Sequence, residues 1–254
     1  MTEELAASSN LMSLLFREPV YKLCLALGST TLCQTCKASS KKVSYFLRHV
    51  APNPAACVLI TPDGFVLAST LLTFLNKPKA WLSEAGLRTM VEVCPKQRFL
   101  LAHQHCTCGL WCACTGRGGK MNPPALWVRA NQGHTDFGEG KRLLSPDLLF
   151  QPVLSSKDAP VAVHGTSLQN YKLILESGGL KAMSRTHVHF AQGLPGTGFI
   201  SGMREKSAVL LYLDVDEGLR RGMKIYKSTN GVILASGIGP GVVISLDLLR
   251  VVIL

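Results

Sequence analysis

The sequence predicts an α+β fold in two lobes, and three observations predict it. Between residues 41 and 151, helical periods are followed by two strand-like runs joined by a long excursion, the element order of a winged-helix lobe. After a stretch from Pro152 to Pro160, read as a linker, the texture changes to short β-rich runs interrupted by one helix. With 254 residues, 47% of them hydrophobic and 17% charged, the chain can bury two modest cores, and it shows no internal repeat.

Residues 1–40 form an unassigned N-terminal extension, its Ser/Thr/Cys-rich part from Gly28 to Ser40 reading as a loop. Val43, Phe46, Leu47 and Val50 then recur at helical spacing, which places Arg48 and His49 at a helix end, off the apolar stripe. Asp63-Gly64 is a turn signal, Phe65 to Leu67 a short strand, and Ser69 the expected cap of a helix carrying Leu71, Leu72 and Leu75. A second helix starts after Ser83. Two strands follow, from Arg98 to Leu101 and from Ala125 to Arg129, joined by a Cys-rich insertion at about 102–124. The second lobe, 159–254, carries strand runs at Val161 to His164, Val188 to Phe190, Ala208 to Leu213, Ile225-Tyr226 and Val232 to Leu234. Its helix, about Leu168 to Ser177, is closed by Gly178-Gly179, and its sheet is expected to be mostly antiparallel.

Lys and Arg outnumber Asp and Glu 27 to 16, a formal charge of +11 that favours an anionic partner without choosing among RNA, DNA, metabolites and acidic lipid. The apolar stretch from Leu11 to Leu27 is broken by Arg17, Glu18, Pro19 and Lys22 and follows acidic residues, unlike a signal peptide. The run from Val242 to Leu254 is too short to span a bilayer. We read a soluble protein without membrane contact. Nine clustered cysteines do not form a disulfide framework, so a reducing compartment, cytoplasm or nucleus, is expected.

The polar signatures are Ser44-Tyr-Phe-Leu-Arg48-His49, Lys96-Gln97-Arg98-Phe99, Arg129-Ala-Asn131-Gln132-Gly133-His134, His164-Gly165-Thr166, Arg185-Thr186-His187-Val188-His189 and Ser228-Thr229-Asn230-Gly231-Val232. Each is ordinary by itself: an Arg-His pair at a helix end is more often a solvated terminus. His187 and His189 share one face of a strand, where such a pair suits a metal ion. Arg129, Asn131, Gln132 and His134 carry donors and acceptors suited to RNA ribose and phosphate, with a structural turn at Gly133 as the competing reading.

In this order, the six motifs resemble the RNA 2'-phosphotransferase family, the tRNA 2'-phosphotransferases that complete splicing by removing a junction phosphate. The resemblance runs from about Lys41 to Gly237. It implies a winged-helix-like RNA-binding lobe followed by an ADP-ribosyltransferase-like lobe that binds NAD. It also implies that Arg48, His49, Arg98 and Arg185 sit on the transferred phosphate. That assignment suits the chemistry, because guanidinium clamps a phosphate bidentately and stays charged, while histidine holds or moves a proton near neutrality. By the same resemblance His164, Gly165, Thr166, His189 and Asn230 face NAD. The absence of a GxGxxG dinucleotide motif agrees with a cofactor that is consumed. No metal is needed. A monomer acting on RNA with a 2'-phosphate is expected.

The resemblance further implies two steps: the RNA 2'-phosphate displaces nicotinamide from NAD, and the ribose 2''-hydroxyl then attacks phosphorus. The products are 2'-OH RNA and ADP-ribose 1'',2''-cyclic phosphate. Two alternatives stay open, an ADP-ribosyltransferase acting on terminal phosphates of nucleic acid and a non-catalytic RNA-binding module. The family does not ordinarily carry the excursion with Cys106, Cys108, Cys112 and Cys114, whose C-x-C spacing differs from that of a zinc knuckle.

Overall fold

The computed structural model describes residues 34–78, 80–104, 125–138, 143–194, 197, 199, 207–238 and 243–254. The Cys-rich excursion and most of the N-terminal extension lie outside them. The first helix, α1 (Gln34–Tyr45), begins well before the helical period does. Its polar sequence, QTCKASSKKVSY, gives little amphipathic signal, and the loop expected up to Ser40 is replaced by helix. Burial of Ser39, Ser40 and Val43 accounts for the difference, since packing of a helix end outweighs intrinsic propensity.

At Phe46 the helix widens into a single π turn, Phe46–Val50, closed by Ala51 N donating to Phe46 O at 2.8 Å. Phe46 and Leu47 are buried in this turn, which leaves Arg48 and His49 on the other side. Thr61 Oγ1 donates to Asp63 Oδ1 and accepts from Phe65 N, shaping the Asp63-Gly64 turn that leads into β1 (Val66–Leu67). Helix α2 (Ala68–Leu75) follows directly, with Leu67 rather than Ser69 at its N-cap and no side-chain cap bond. Helix α3 (Glu84–Glu92) is capped as expected, Ser83 Oγ accepting from Gly86 N. Strands β2 (Phe99–Gln104) and β3 (Ala125–Ala130) pair antiparallel with Phe99 opposite Ala130, and the sheet runs β1-β3-β2. The helices pack on it through Phe46, Leu71, Leu87, Met90 and Val128.

The second lobe is built on another core. Helix α4 (Pro146–Leu149) and β4 (Gln151–Pro152) open it. The expected linker is therefore partly a strand: Gln151 pairs with Lys227 and Pro152 with Tyr226, and Val153 and Ala159 are buried in the core. Next come β5 (Val163–Thr166), α5 (Leu168–Glu176), β6 (Gly179–Lys181), β7 (Val188–Phe190), β8 (Val209–Leu213) and α6 (Val215–Arg220). The chain ends in β9 (Ile225–Lys227), β10 (Ile233–Ala235), β11 (Val243–Ser245) and β12 (Leu249–Ile253). Sheets β4-β9-β10-β7 and β12-β8-β5 and the pair β11-β6 are antiparallel throughout, as expected. Beyond Ser236, β12 pairs with β8 from Leu249↔Leu213 to Ile253↔Val209.

The lobes meet along residues 131–136. Thr135 N donates to Arg48 O, Asp136 N to Ser184 O and Thr186 N to His134 O, so one segment is bonded to both sides. Among the described residues no helix is long and apolar enough to cross a membrane.

Leu47 tests how firmly the π turn is anchored, because its side chain is 1% exposed and its neighbour is Arg48. Leu47→Ala should cost about 2–5 kcal/mol of unfolding free energy, read from urea midpoints. Leu59→Ala, at a position 69% exposed, should change it by less than about 0.5 kcal/mol.

Candidate active site

A cavity of about 310 Å³ opens between the lobes, lined by residues of both. The first lobe contributes Arg48 from the π turn, Lys96 and Arg98 from the turn before β2, and Gln132-Gly133 after β3. The second contributes His164-Gly165 of β5, Arg185, His189 of β7 and Asn230. No Asp or Glu is among the described residues that line it.

That composition fixes the electrostatics. Arg48 is lowered to about 10, first by burial and then by the charges of Arg185 and Arg98, so it stays charged at neutral pH but at a cost. Its Nη2 donates to Gln132 Oε1 at 3.3 Å, while its buried Nε has no partner. Gly133, at φ +86°, packs beneath it: a β-carbon there would be strained and would touch the guanidinium at 3.5 Å. Glu84, Glu217 and Asp247 pair instead with Arg88, Arg220 and Arg221. Three guanidiniums facing one space without a carboxylate make a site for an anion with several oxygens.

His49 follows Arg48 but does not line the cavity; its Nδ1 lies 2.7 Å from Thr135 Oγ1. Burial, then Arg48 and Arg185, push its pKa down, which favours the neutral ring.

A second hollow of about 870 Å³ adjoins the first and shares His164, Arg185 and His189 with it. Thr166, Asn170 and Ser184 line its far side. His164 Nδ1 lies 3.0 Å from His189 O, and His189 Nδ1 3.0 Å from His187 O. A carbonyl can only accept, so both rings carry hydrogen on Nδ1 and leave Nε2 as an acceptor. Among the described residues His189 Nε2 has no hydrogen-bond partner. Burial lowers the pKa of both rings, His189 to about 3.

Of the thirteen residues singled out from the sequence, Arg48, Arg98, Arg185, Gln132, His164, Gly165, His189 and Asn230 converge on the first cavity, and Thr166 on the adjoining one. Arg129, Asn131 and His134 are turned inward, 8%, 3% and 1% exposed, and offer little surface to a nucleic acid. Arg129 donates to Asp63 O and Thr229 Oγ1, Asn131 donates to Gln97 O, and His134 lies beneath Arg48 and Arg129. Lys96, read in the Lys96-Gln97-Arg98-Phe99 signature but given no role there, also lines the cavity. Sequence reading missed Thr135, the partner of His49, which no local pattern marks.

His134 is held neutral, its pKa lowered to about 3 by burial and then by Arg48 and Arg129, and His189 likewise. The unfolded chain takes up these protons near 6.5 while the folded chain does not. The stability present above about 6.5 is therefore lost as pH falls toward 3, by about 1.4 kcal/mol per pH unit for each ring. Replacing His134 with Gln should flatten the fall of the urea midpoint between pH 6.5 and 4.5 by one ring's share. Parallel curves for the two proteins would refute the assignment.

A sequence model of the RNA 2'-phosphotransferase, Tpt1 / KptA family matches residues 34–237. The tRNA 2'-phosphotransferase 1 of Danio rerio is 33% identical over 206 residues, 80% of this chain and 79% of its own. The tRNA 2'-phosphotransferase of Saccharomyces cerevisiae is 30% identical over 202 residues, 78% of each chain. A probable RNA 2'-phosphotransferase of Rhizobium johnstonii is 32% identical over 200 residues, 78% of this chain and 88% of its own. The match begins with α1 and spans every residue that lines the interlobe cavity, and on these grounds the chain belongs to the RNA 2'-phosphotransferase family.

Proposed function

We propose that this chain removes an internal 2'-phosphate from RNA, tRNA at a splice junction in the first instance, consuming NAD as co-substrate. One observation carries the reading: Arg48, Arg98 and Arg185 converge on one interlobe cavity with no carboxylate among the described residues that line it. A phosphate monoester neutralises such a cluster, and each guanidinium can offer it two N–H donors.

In this reading the winged-helix-like first lobe presents the RNA, and the second lobe, ADP-ribosyltransferase-like, holds NAD along the adjoining hollow. The acceptor left at His189 Nε2 supports this fit, because a ribose hydroxyl would satisfy it. His164 and Gly165, shared between cavity and strand, would flank the same sugar. NAD supplies the electrophilic ribose carbon, whose bond to nicotinamide breaks as the phosphate oxygen bonds to it. In the second step the ribose 2''-oxygen bonds to phosphorus and the bond from phosphorus to the RNA 2'-oxygen breaks. The proton lost by the 2''-hydroxyl equals the one gained by the RNA 2'-oxygen. The arginines hold the phosphate in place for the first step and stabilise the charge that builds on its oxygens in the second. His49, neutral and held at Nδ1 by Thr135, is placed to assist as a proton carrier next to Arg48.

The deciding experiment is incubation of the protein with NAD and an oligonucleotide carrying one internal 2'-phosphate. Formation of 2'-OH RNA and a cyclic ADP-ribose phosphate supports the reading. RNA that keeps ADP-ribose on its phosphate would make the protein a transferase that stops after one step, and binding without turnover a non-catalytic RNA-binding module. Arg185→Ala should slow the second step about a hundredfold, with the first affected less, so that ADP-ribosylated RNA accumulates in single-turnover gels. Equal loss of both steps would remove Arg185 from the second transition state.

A further inference from the structure

The turn that carries Arg98 is held in an unusual way. Gln97 sits at φ +41°, a left-handed conformation that costs a non-glycine residue about 1–2 kcal/mol. Such a backbone persists only where its surroundings determine it. Here the carbonyls on all three consecutive residues are bonded. Asn230 Nδ2 donates to Lys96 O at 2.9 Å, Asn131 Nδ2 to Gln97 O at 2.6 Å, and Asn131 N to Arg98 O at 2.8 Å. Gln97 N in turn donates to Cys94 O at 2.8 Å, which ties the turn to the end of α3.

Asn230 comes from the other lobe, 134 residues away. Its own turn is closed: Ser228 Oγ donates to Asn230 Oδ1 at 2.8 Å, Gly231 N donates to Ser228 O, and Gln192 Nε2 donates to Gly231 O. Gly231, at φ +81°, has a backbone that strains any other L-residue, and a β-carbon there would lie 2.8 Å from Gln192 Nε2. Both ends of the Asn230 amide are thus engaged inside the protein, although the residue borders the cavity and is 5% exposed.

We infer that Asn230 and Asn131 are positioning residues for Arg98: the two amides grip the Lys96-Gln97 turn from opposite lobes and set where the Arg98 guanidinium meets the phosphate. This assigns Asn230 to the phosphate end of the site through the backbone, in place of the NAD contact expected for it from the sequence. The grip also links the lobes, so Arg98 reaches its place only when the second lobe is seated against the first.

The inference rests on the proposed reaction for its kinetic consequence but not for its binding one, and the test separates the two. Affinity for inorganic phosphate, measured by calorimetry at low salt, should fall roughly three- to tenfold in Asn230→Ala, about one hydrogen bond's worth. It should fall at least as far in Arg98→Ala, and the double variant should be no weaker than Arg98→Ala by itself. Asn131→Ala, which frees Gln97 O from the first lobe, should behave in the same way, and thermal midpoints establish which variants are folded. In turnover, Asn230→Ala should lower kcat on the order of tenfold, with KM for NAD unchanged within about twofold. Multiplying effects of Asn230→Ala and Arg98→Ala on phosphate affinity would overturn the inference, as would a raised KM for NAD that persists without Arg98. If phosphate binding shows the coupling but NAD is not consumed, the positioning role stands and the proposed reaction falls.

Discussion

The mutual repulsion of Arg48, Arg98 and Arg185 is the constraint around which the rest of the molecule is arranged. Two like charges a few ångströms apart cost on the order of a few kcal/mol in the effective dielectric of a protein surface. Among the described residues no carboxylate lines the cavity to offset that cost, and the pKa of Arg48 is lowered to about 10, first by burial and then by Arg185 and Arg98. A folded chain keeps such groups together only by fixing their backbones elsewhere. Each of the three is fixed differently. Arg48 stands on a π turn whose other side buries Phe46 and Leu47, a local widening of the kind often found at functional sites. Arg98 stands on a strained turn bonded at each carbonyl. Arg185 is held by a bridge to Thr135, whose own N–H donates to Arg48 O.

Two of those three supports cross between the lobes. The seam is polar and depends on direction: Asn230 to Lys96 O, Arg129 to Thr229, Thr186 to His134 O. Each such bond stabilises the pair of lobes by only about 1 kcal/mol, yet a misplaced partner leaves a desolvated group unpaired at greater cost. A seam of this kind tolerates few alternative seatings. The same bonds that place the arginines therefore also determine how the lobes sit, and an anion in the cavity stabilises both at once by relieving the repulsion.

The sequence made part of this legible. The apolar period around Phe46 placed Arg48 off the core face, and the Ser83 cap and the β2 and β3 runs were marked by local chemistry. The start of α1 was not, because a run such as Ala-Ser-Ser-Lys-Lys has no apolar period and its helix depends on burial. Strand β6 and helix α6 are short and each contains a glycine, β11 is only three residues long, and β12 shows no alternation of apolar and polar residues. At the site, the residue types announced an anion and the order of motifs named the family. What motif reading could not supply was orientation. Asn131, His134 and Asn230 look like ligand residues in a string of letters. In space the amides of Asn131 and Asn230 bond the backbone of the turn, and His134 is buried as a neutral ring.

Orientation also sorts the chemistry along the cavity. Arginine has donors only, so the end formed by Arg48, Arg98 and Arg185 receives oxygens that accept. The histidines at the other end are uncharged, and backbone carbonyls take the Nδ1 hydrogens of His164 and His189, so their Nε2 atoms are acceptors. A bound molecule must therefore offer an anionic group in one direction and hydroxyl hydrogens in the other. Burial and the arginines themselves keep those rings neutral, since Arg185 disfavours a proton on both His164 and His189. The arginine cluster, suited to an anion, thus also maintains the neutral acceptors beside it, and the two halves of the site are set by one electrostatic cause.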